Sequence, residues 1–319
     1  MPTTHRLPAT RDTLHGHFSH NLAPITTIES GDTVEYTTLD AGWGLEPLQG
    51  GLYQHNSRRE ISERPQGEHD NRHALTGPIF IRGAQPGMTL EILVKTIRPA
   101  AWGFCLAGGW PSSFNERLGV IGDGITHAWT LDRETMTGRN HLGHSVALRP
   151  FMGVMGMPPK EDGIHSTIPP RVWGGNMDCK ELVEGSRLYL PIPVEGGLFS
   201  VGDGHAAQGD GEVSGNAIEC PMEQVELTFN LREDFPVSGP VAYTPNGWLT
   251  MGFERDLNEA TYTALESMLF LMQQFYGIDK RNALALASLG VDLRITQIVN
   301  EACGVHAILP HDRIRIESV

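Results

Sequence analysis

This chain rarely runs far without a glycine or a proline, and no other feature of the sequence constrains its fold as much. The 37 glycines and 21 prolines are spread along 319 residues without a period. Such punctuation breaks long helices and favours short strands joined by turns, so the expected architecture is all-β or β-dominated. Residues 25–40 read as two strands around a Ser-Gly-Asp turn, with Val34 and Tyr36 alternating against Thr33 and Glu35. Residues 74–97 read as a hairpin. One strand runs through Ile79 and Ile81, a turn falls at Gln85-Pro86-Gly87, and Leu90, Ile92 and Val94 share a face of the second strand.

Residues 187–193, 198–201, 212–219 and 224–231 read as further strands, which predicts an antiparallel meander or a sandwich. The tail changes character. Asn258 is the expected N-cap of a helix ending at Gly277, residues 279–289 read as a second helix closed by Gly290, and residues 291–300 return to strand. Residues 42–72 read as a long exposed loop, a lid or an insertion. Residues 101–170 show weak periodicity with scattered Trp and Met, and read as irregular structure lining a cavity. At 35.0 kDa the chain exceeds the usual size of one domain. The expected division is a β-rich sandwich over 1–240 and an α+β portion over 241–319, packed on the same core.

A formal net charge of −14 without any basic run argues against a nucleic-acid partner. No stretch approaches the length of a membrane-spanning helix, and residues 1–21 lack the apolar segment of a secretory signal. Cys105, Cys179, Cys220 and Cys303 are far apart and form no CxxC pair, so reduced thiols in a cytoplasmic protein are expected. His15, His17 and His20 fit no regular metal spacing and read as surface residues. Nucleotide-binding glycine motifs are absent.

Chemistry concentrates between residues 174 and 219. Asn176 with Asp178, Asp203 with His205, and Asp210 with Glu212 are i, i+2 pairs. In extended chain such pairs face the same way, so each can converge on one point without a helix. Carboxylates, one amide oxygen and one imidazole suit zinc, with calcium or magnesium as a harder ion beside it. A single Gly-Asp-Gly segment is ordinary turn chemistry. Three such pairs close together are better explained by a metal pocket.

The segment GGNMDCKELVEGSRLYLPIPVEGGLFSVGDGHAAQGDGEVSGNAIE closely resembles the signature region of the acetamidase/formamidase family. HALTGPIFIRGAQPGMTLEI and SGDTVEYTTLDAGWG resemble two further blocks of that family, in the family's order. The resemblance implies a mainly β, jelly-roll-like sandwich with α+β additions and a C-terminal helical segment. It also implies hydrolysis of a small linear amide, a divalent metal site and a homo-oligomer, a dimer or higher. Met88 departs from the family, which more often has Asp after Pro-Gly, and residues 101–170 contain no matching block. Substrate specificity is expected to lie in that unmatched region.

Asn176, Asp178 and His205 are the expected metal ligands, with Asp40 as a fourth candidate that could equally be a turn residue. Glu212 is the expected general base, unless it is a solvated strand residue. Asp203 either exchanges roles with Glu212 or holds the His205 tautomer. His73 could stabilise the oxyanion, bind metal or simply be exposed. Cys179, with Lys180 and Glu181 beside it, invites a Cys-Glu-Lys reading; sequence neighbours on a strand face opposite ways, which argues against it. Two other functions compete. A metallophosphoesterase would need Asp-x-His first and a Gly-Asn-His segment after it, and neither holds. A calcium-binding β-sandwich module explains the Gly/Asp loops but not the company that the three pairs keep.

Overall fold

The computed structural model describes residues 2–44, 70 and 73–315. In chain order its strands are β1 (Thr4–Leu7), β2 (Leu14–His15), β3 (Thr26–Ile28), β4 (Thr33–Thr38), β5 (Leu75–Ile81), β6 (Thr89–Pro99), β7 (Trp102–Ala107), β8 (Ile125–Asp132), β9 (Thr137–Asn140), β10 (Ser145–Ala147), β11 (Phe151–Gly156), β12 (Gly174–Asn176), β13 (Arg187–Pro191), β14 (Phe199–His205), β15 (Met222–Arg232), β16 (Val241–Thr244), β17 (Gly247–Glu254), β18 (Asp292–Gln297) and β19 (Cys303–Pro310). The helices are α1 (Ser113–Leu118), α2 (Leu257–Tyr276) and α3 (Lys280–Gly290). The chain is therefore mainly β with a helical pair near its end, as its glycine and proline content predicts. No helix among the described residues is long and apolar enough to cross a membrane.

One sheet of nine strands runs in the order β1-β4-β15-β6-β13-β16-β17-β19-β18. A second sheet has the order β12-β11-β14-β5-β2, with β3 parallel to β5, and a third has the order β10-β9-β8-β7. The expected hairpin over residues 74–97 does not form. β5 pairs with β14 and β2, while β6 pairs with β13 and β15, so residues 82–88 make a corner between facing sheets. Alternation reports that a strand has a buried face, not which strand lies beside it. Both strands bury that face in one shared core, where Ile79 and Ile81 meet Leu90, Ile92 and Val94.

The meander expected over residues 187–231 is likewise replaced by switching. β13 and β15 flank β6 in the nine-stranded sheet, and β14 between them in sequence belongs to the second sheet. Phe199 of β14 meets Phe229 of β15 edge to face across the sandwich, with ring centroids 5.1 Å apart. Residues 212–219, expected as a strand, form a loop. Residues 101–170 are also more regular than their composition suggests. They supply the four-stranded sheet, α1 and β11. β10 is exposed along its length and β7 is only half buried, so neither carries an apolar period that the sequence could display.

The far side of the nine-stranded sheet is covered by α2 and α3. Ala260, Ala264, Met268 and Met272 recur every four residues and pack on Val305, Ala307 and Leu309 of β19. Gly252 of β17 permits the close approach, since a Cβ there would lie 2.7 Å from the Ala264 nitrogen. The N-cap of α2 is Asp256 rather than Asn258, because the Asp256 side chain accepts from the Asn258 and Glu259 backbone nitrogens. Gly277 closes α2 in the left-handed conformation, as expected.

The N-terminal histidines do not all lie on the surface. His15 is buried, with Nδ1 2.7 Å from the His17 carbonyl and Nε2 2.9 Å from Ser200 Oγ. His17 contacts the buried Asp70 carboxylate. Most of the loop expected over 42–72 lies outside the described residues.

Candidate metal and active site

Three strands of the second sheet and two loops bring the titratable groups together. Asp203 and His205 both lie on β14, and their side chains meet at 3.3 Å. Asn176 ends β12, and Asp178 follows it outside the strand at φ +49°. Asp203 and Glu212 also have positive φ, at +59° and +46°. Three site carboxylates thus sit in the left-handed region that side chains with a Cβ rarely adopt. Asp203 and His205 do meet, but with Asp203 at positive φ the extended-chain argument alone does not explain it. For Asp178 it is replaced by a turn that swings the side chain inward.

His205 Nε2 lies 3.3 Å from Asp203 Oδ1 and 3.3 Å from Glu219 Oε2, while Nδ1 lies 3.9 Å from Asp178 Oδ1. Asp178, Asp203 and His205 can offer converging ligand atoms, and so can His205, Glu212 and Glu219. All five residues are buried. Burial raises the carboxyl of Asp178 well above its usual range, with Glu212 adding to the shift. Glu212 is pushed up to about 8, first by burial, which outweighs the opposing charge of His205. Glu219 is raised for the same first reason. Burial acts on Asp203 in the same direction, but the charges of His205 and His73 hold it below the carboxylate range. Burial alone would lower His205, yet Glu219 and Asp203 hold its imidazole well above the usual value.

Four carboxylates and one imidazole buried together are too much negative charge to stand alone. Several atoms there make no hydrogen bond within the described protein: Asn176 Oδ1, Asp178 Oδ1, His205 Nδ1 and Glu219 Oε2. Gly153, at the middle of β11, keeps the space between them open. A Cβ on it would overlap an Asp203 oxygen, and would lie 2.7 Å from Asp178 Oδ1 and 2.9 Å from His205 Cε1. Unsatisfied oxygen and nitrogen donors, excess negative charge and a gap held open by glycine fit a divalent metal ion.

The adjoining cavity measures about 150 Å³ and is lined on its polar side by His73, Asn176, Asp203, Glu212, Glu219 and Asn300. That is below the roughly 300–1,000 Å³ of pockets for drug-sized ligands, so the space suits a ligand of a few heavy atoms. His73 lines the cavity with Nδ1 2.9 Å from Thr167 Oγ1.

Two expected site residues lie outside these clusters. Asp210 points away from its i+2 partner, 3.0 Å from Lys180 Nζ. Asp40 is buried, but its Oδ1 accepts from the Gly42 nitrogen, and Asp40 is not among the converging groups. Gly42 and Ala41 reach the cavity wall instead. The Cys-Glu-Lys reading finds no support in the geometry. Cys179 is buried and its thiol is pushed up to about 12, chiefly by burial. Glu181 is bound by Arg149, Nη2 to Oε2 at 2.6 Å.

Sequence reasoning missed Glu219, Gly153 and Asn300 as site residues. Glu219 has no i+2 partner, but it bridges His205 through the backbone. Gly153 had a usable signal, since glycines inside the strand segment Met152-Gly153-Val154-Met155-Gly156 mark a close approach. Asn300 had none. Its Nδ2 donates to Asp178 Oδ2 at 2.7 Å and to Glu212 Oε2 at 3.1 Å. Gly211 N donates to the Thr296 carbonyl and Ile298 N to the Gly211 carbonyl, which fasten the Glu212 loop to the end of β18.

A family model described as the acetamidase/formamidase family matches residues 2–166 and 161–314. A formamidase from Methylophilus methylotrophus is 27% identical over 251 residues, which cover 63% of this chain and 60% of that protein. An acetamidase from Mycolicibacterium smegmatis is 28% identical over 199 residues, 44% of this chain and 49% of that one. The chain thus spans 60% and 49% of the length of these two relatives. Among solved structures, an acetamidase from Bacillus halodurans superposes with a TM-score of 0.81 at 25% identity, over 96% of this chain and 97% of that one.

Proposed function

Since this chain belongs to the acetamidase/formamidase family and is on that footing an amidohydrolase, we propose that the buried cavity hydrolyses a short linear amide to a carboxylate and ammonia with a divalent metal ion. The observation that carries the reading is the convergence of Asp178, Asp203, His205, Glu212 and Glu219 around the gap left by Gly153. Asp178, Asp203, His205 and the amide oxygen of Asn176 would hold the ion, zinc by the mixed nitrogen and oxygen set, with calcium or magnesium favoured as the oxygen share grows. Such an ion, when bound, polarises a carbonyl and acidifies water.

The chain's own side chains supply the rest. Glu212 accepts the proton of the attacking water and returns it to the departing ammonia. A carboxyl at about 8 would be mostly protonated at neutral pH, but positive charge beside it favours the ionised form. Asn300 keeps one Glu212 oxygen directed into the cavity through the hydrogen bond from Nδ2. Asp203 restrains the His205 ring through Nε2. His73, with Nδ1 on Thr167, has Nε2 left to donate to the oxygen that gains charge as the carbonyl is attacked. The polar wall would thus offer a base to one face of the amide and a donor to its oxygen.

The test is ammonia release from formamide and acetamide before chelation, after it, and after each of Zn²⁺, Ca²⁺ and Mg²⁺ is restored. Activity that disappears with the metal and returns with one of the ions is expected. Full turnover by metal-free protein would remove the metal from the mechanism, and no turnover on any amide would remove the reaction.

A further inference from the structure

We propose that Leu106 sets the length of acyl chain that the cavity admits, an assignment that rests on the amide-hydrolase reading above. An amide has a polar end and an alkyl end, and the cavity offers side chains of both kinds. Beside seven polar residues, Asn216 among them, Phe104 and Leu106 are the bulky apolar residues of the lining among the described residues. They are two apart on β7 and so face the same way. With the amide group at the polar wall, the acyl chain points at these two side chains.

Both are fixed to the loop that carries the site carboxylates. Phe104 exchanges backbone hydrogen bonds with Glu219, its nitrogen donating at 3.0 Å and its carbonyl accepting at 2.8 Å. The Leu106 nitrogen donates to Asn216 Oδ1 at 2.7 Å. The apolar wall therefore stands at a fixed distance from Glu212 and Glu219. Phe104 is buried against Glu219, so any change there disturbs the carboxylates as well. Leu106 is half-buried and bonded through its backbone, so its side chain can change size while the polar wall stays in place.

The experiment measures kcat/KM for formamide, acetamide, propionamide and butyramide with the wild-type protein, Leu106→Ala and Leu106→Phe, alongside metal content and Tm. One methylene in an apolar pocket changes kcat/KM by about 10- to 200-fold. Leu106→Ala should therefore raise the butyramide-to-acetamide ratio at least about tenfold, and Leu106→Phe should lower the acetamide-to-formamide ratio. Should Leu106→Ala fail to fold, Leu106→Val carries the same test with a smaller shift in the same direction. Ratios unchanged in variants that retain metal and Tm overturn the assignment while leaving the hydrolase reading intact. A wild-type protein that turns over none of the four amides overturns both.

Discussion

A Cβ on Gly153 would lie 2.7 Å from Oδ1 of Asp178, closer than two such atoms pack. The φ of Gly153 is not in the positive region, so alanine suits the backbone and its only fault is the methyl group. Gly153→Ala should therefore fold but lose bound metal, and ammonia release should fall by about 100-fold or more, the scale of a misplacement near 1 Å in an active site. Metal analysis beside circular dichroism checks this. A folded variant with full metal would mean that the gap is not the ion's place.

Glu219 extends the ligand question beyond the residues that spacing pointed to. His205→Ala and Asp178→Ala should each lose metal and turnover together, because their ligand atoms serve one cluster. Glu219→Gln keeps the shape and removes the charge beside His205 Nε2. It should weaken metal binding by about 10- to 100-fold, as outer partners of metal-binding histidines do, without abolishing it. Titration with a metal indicator separates the two kinds of loss.

Glu212 is assigned to the proton rather than to the ion. In Glu212→Gln the Asn300 amide still finds an oxygen, but the base is gone. Metal content should hold while kcat falls by about 10²- to 10⁴-fold with KM little changed. A variant keeping more than about a tenth of kcat would move the base away from Glu212. A variant that loses its metal would make Glu212 a ligand.

The buried His15 makes the fold sensitive to acid. Burial lowers its pKa from 6.5 to about 4, outweighing the hydrogen bond to the His17 carbonyl. The unfolded chain takes up a proton near pH 6.5 and the folded chain only near 4, so this contribution to stability is complete above 6.5 and is lost as pH falls between those values. From pH 7 to pH 5 the loss is about 2 kcal/mol. Urea unfolding at the two pH values should show wild type losing about that much more than His15→Gln. Equal losses in the two proteins would show that His15 titrates normally.

Strand faces, helix pair and the segment rich in potential ligands were legible because each is written locally. Leu90, Ile92 and Val94 alternate, α2 repeats every four residues, and Asp203 and His205 stand two apart on one strand. What was hidden depends on partners distant in the chain. β5 and β6 look like a hairpin because nothing in either names β14 or β15 as its neighbour. Asp178 entered the site through a positive φ rather than through strand alternation. Glu219 depended on a bridge to His205, and Asn300 on the route of the last strands.

Asn300 joins Asp178 and Glu212 across 122 and 88 residues of chain. During synthesis, then, the pocket stays unfinished until residue 300 has left the ribosome. The apolar strands β4 to β15 are all made before that moment, and β4 itself must wait for β15, whose Leu227 pairs with Val34. Pairings this remote fold slowly and leave sheet edges open meanwhile. Yield in a heterologous host should therefore respond more to growth temperature and chaperone supply than a helical protein of the same length would, and a product clipped before residue 300 should be inactive even where its sandwich has formed.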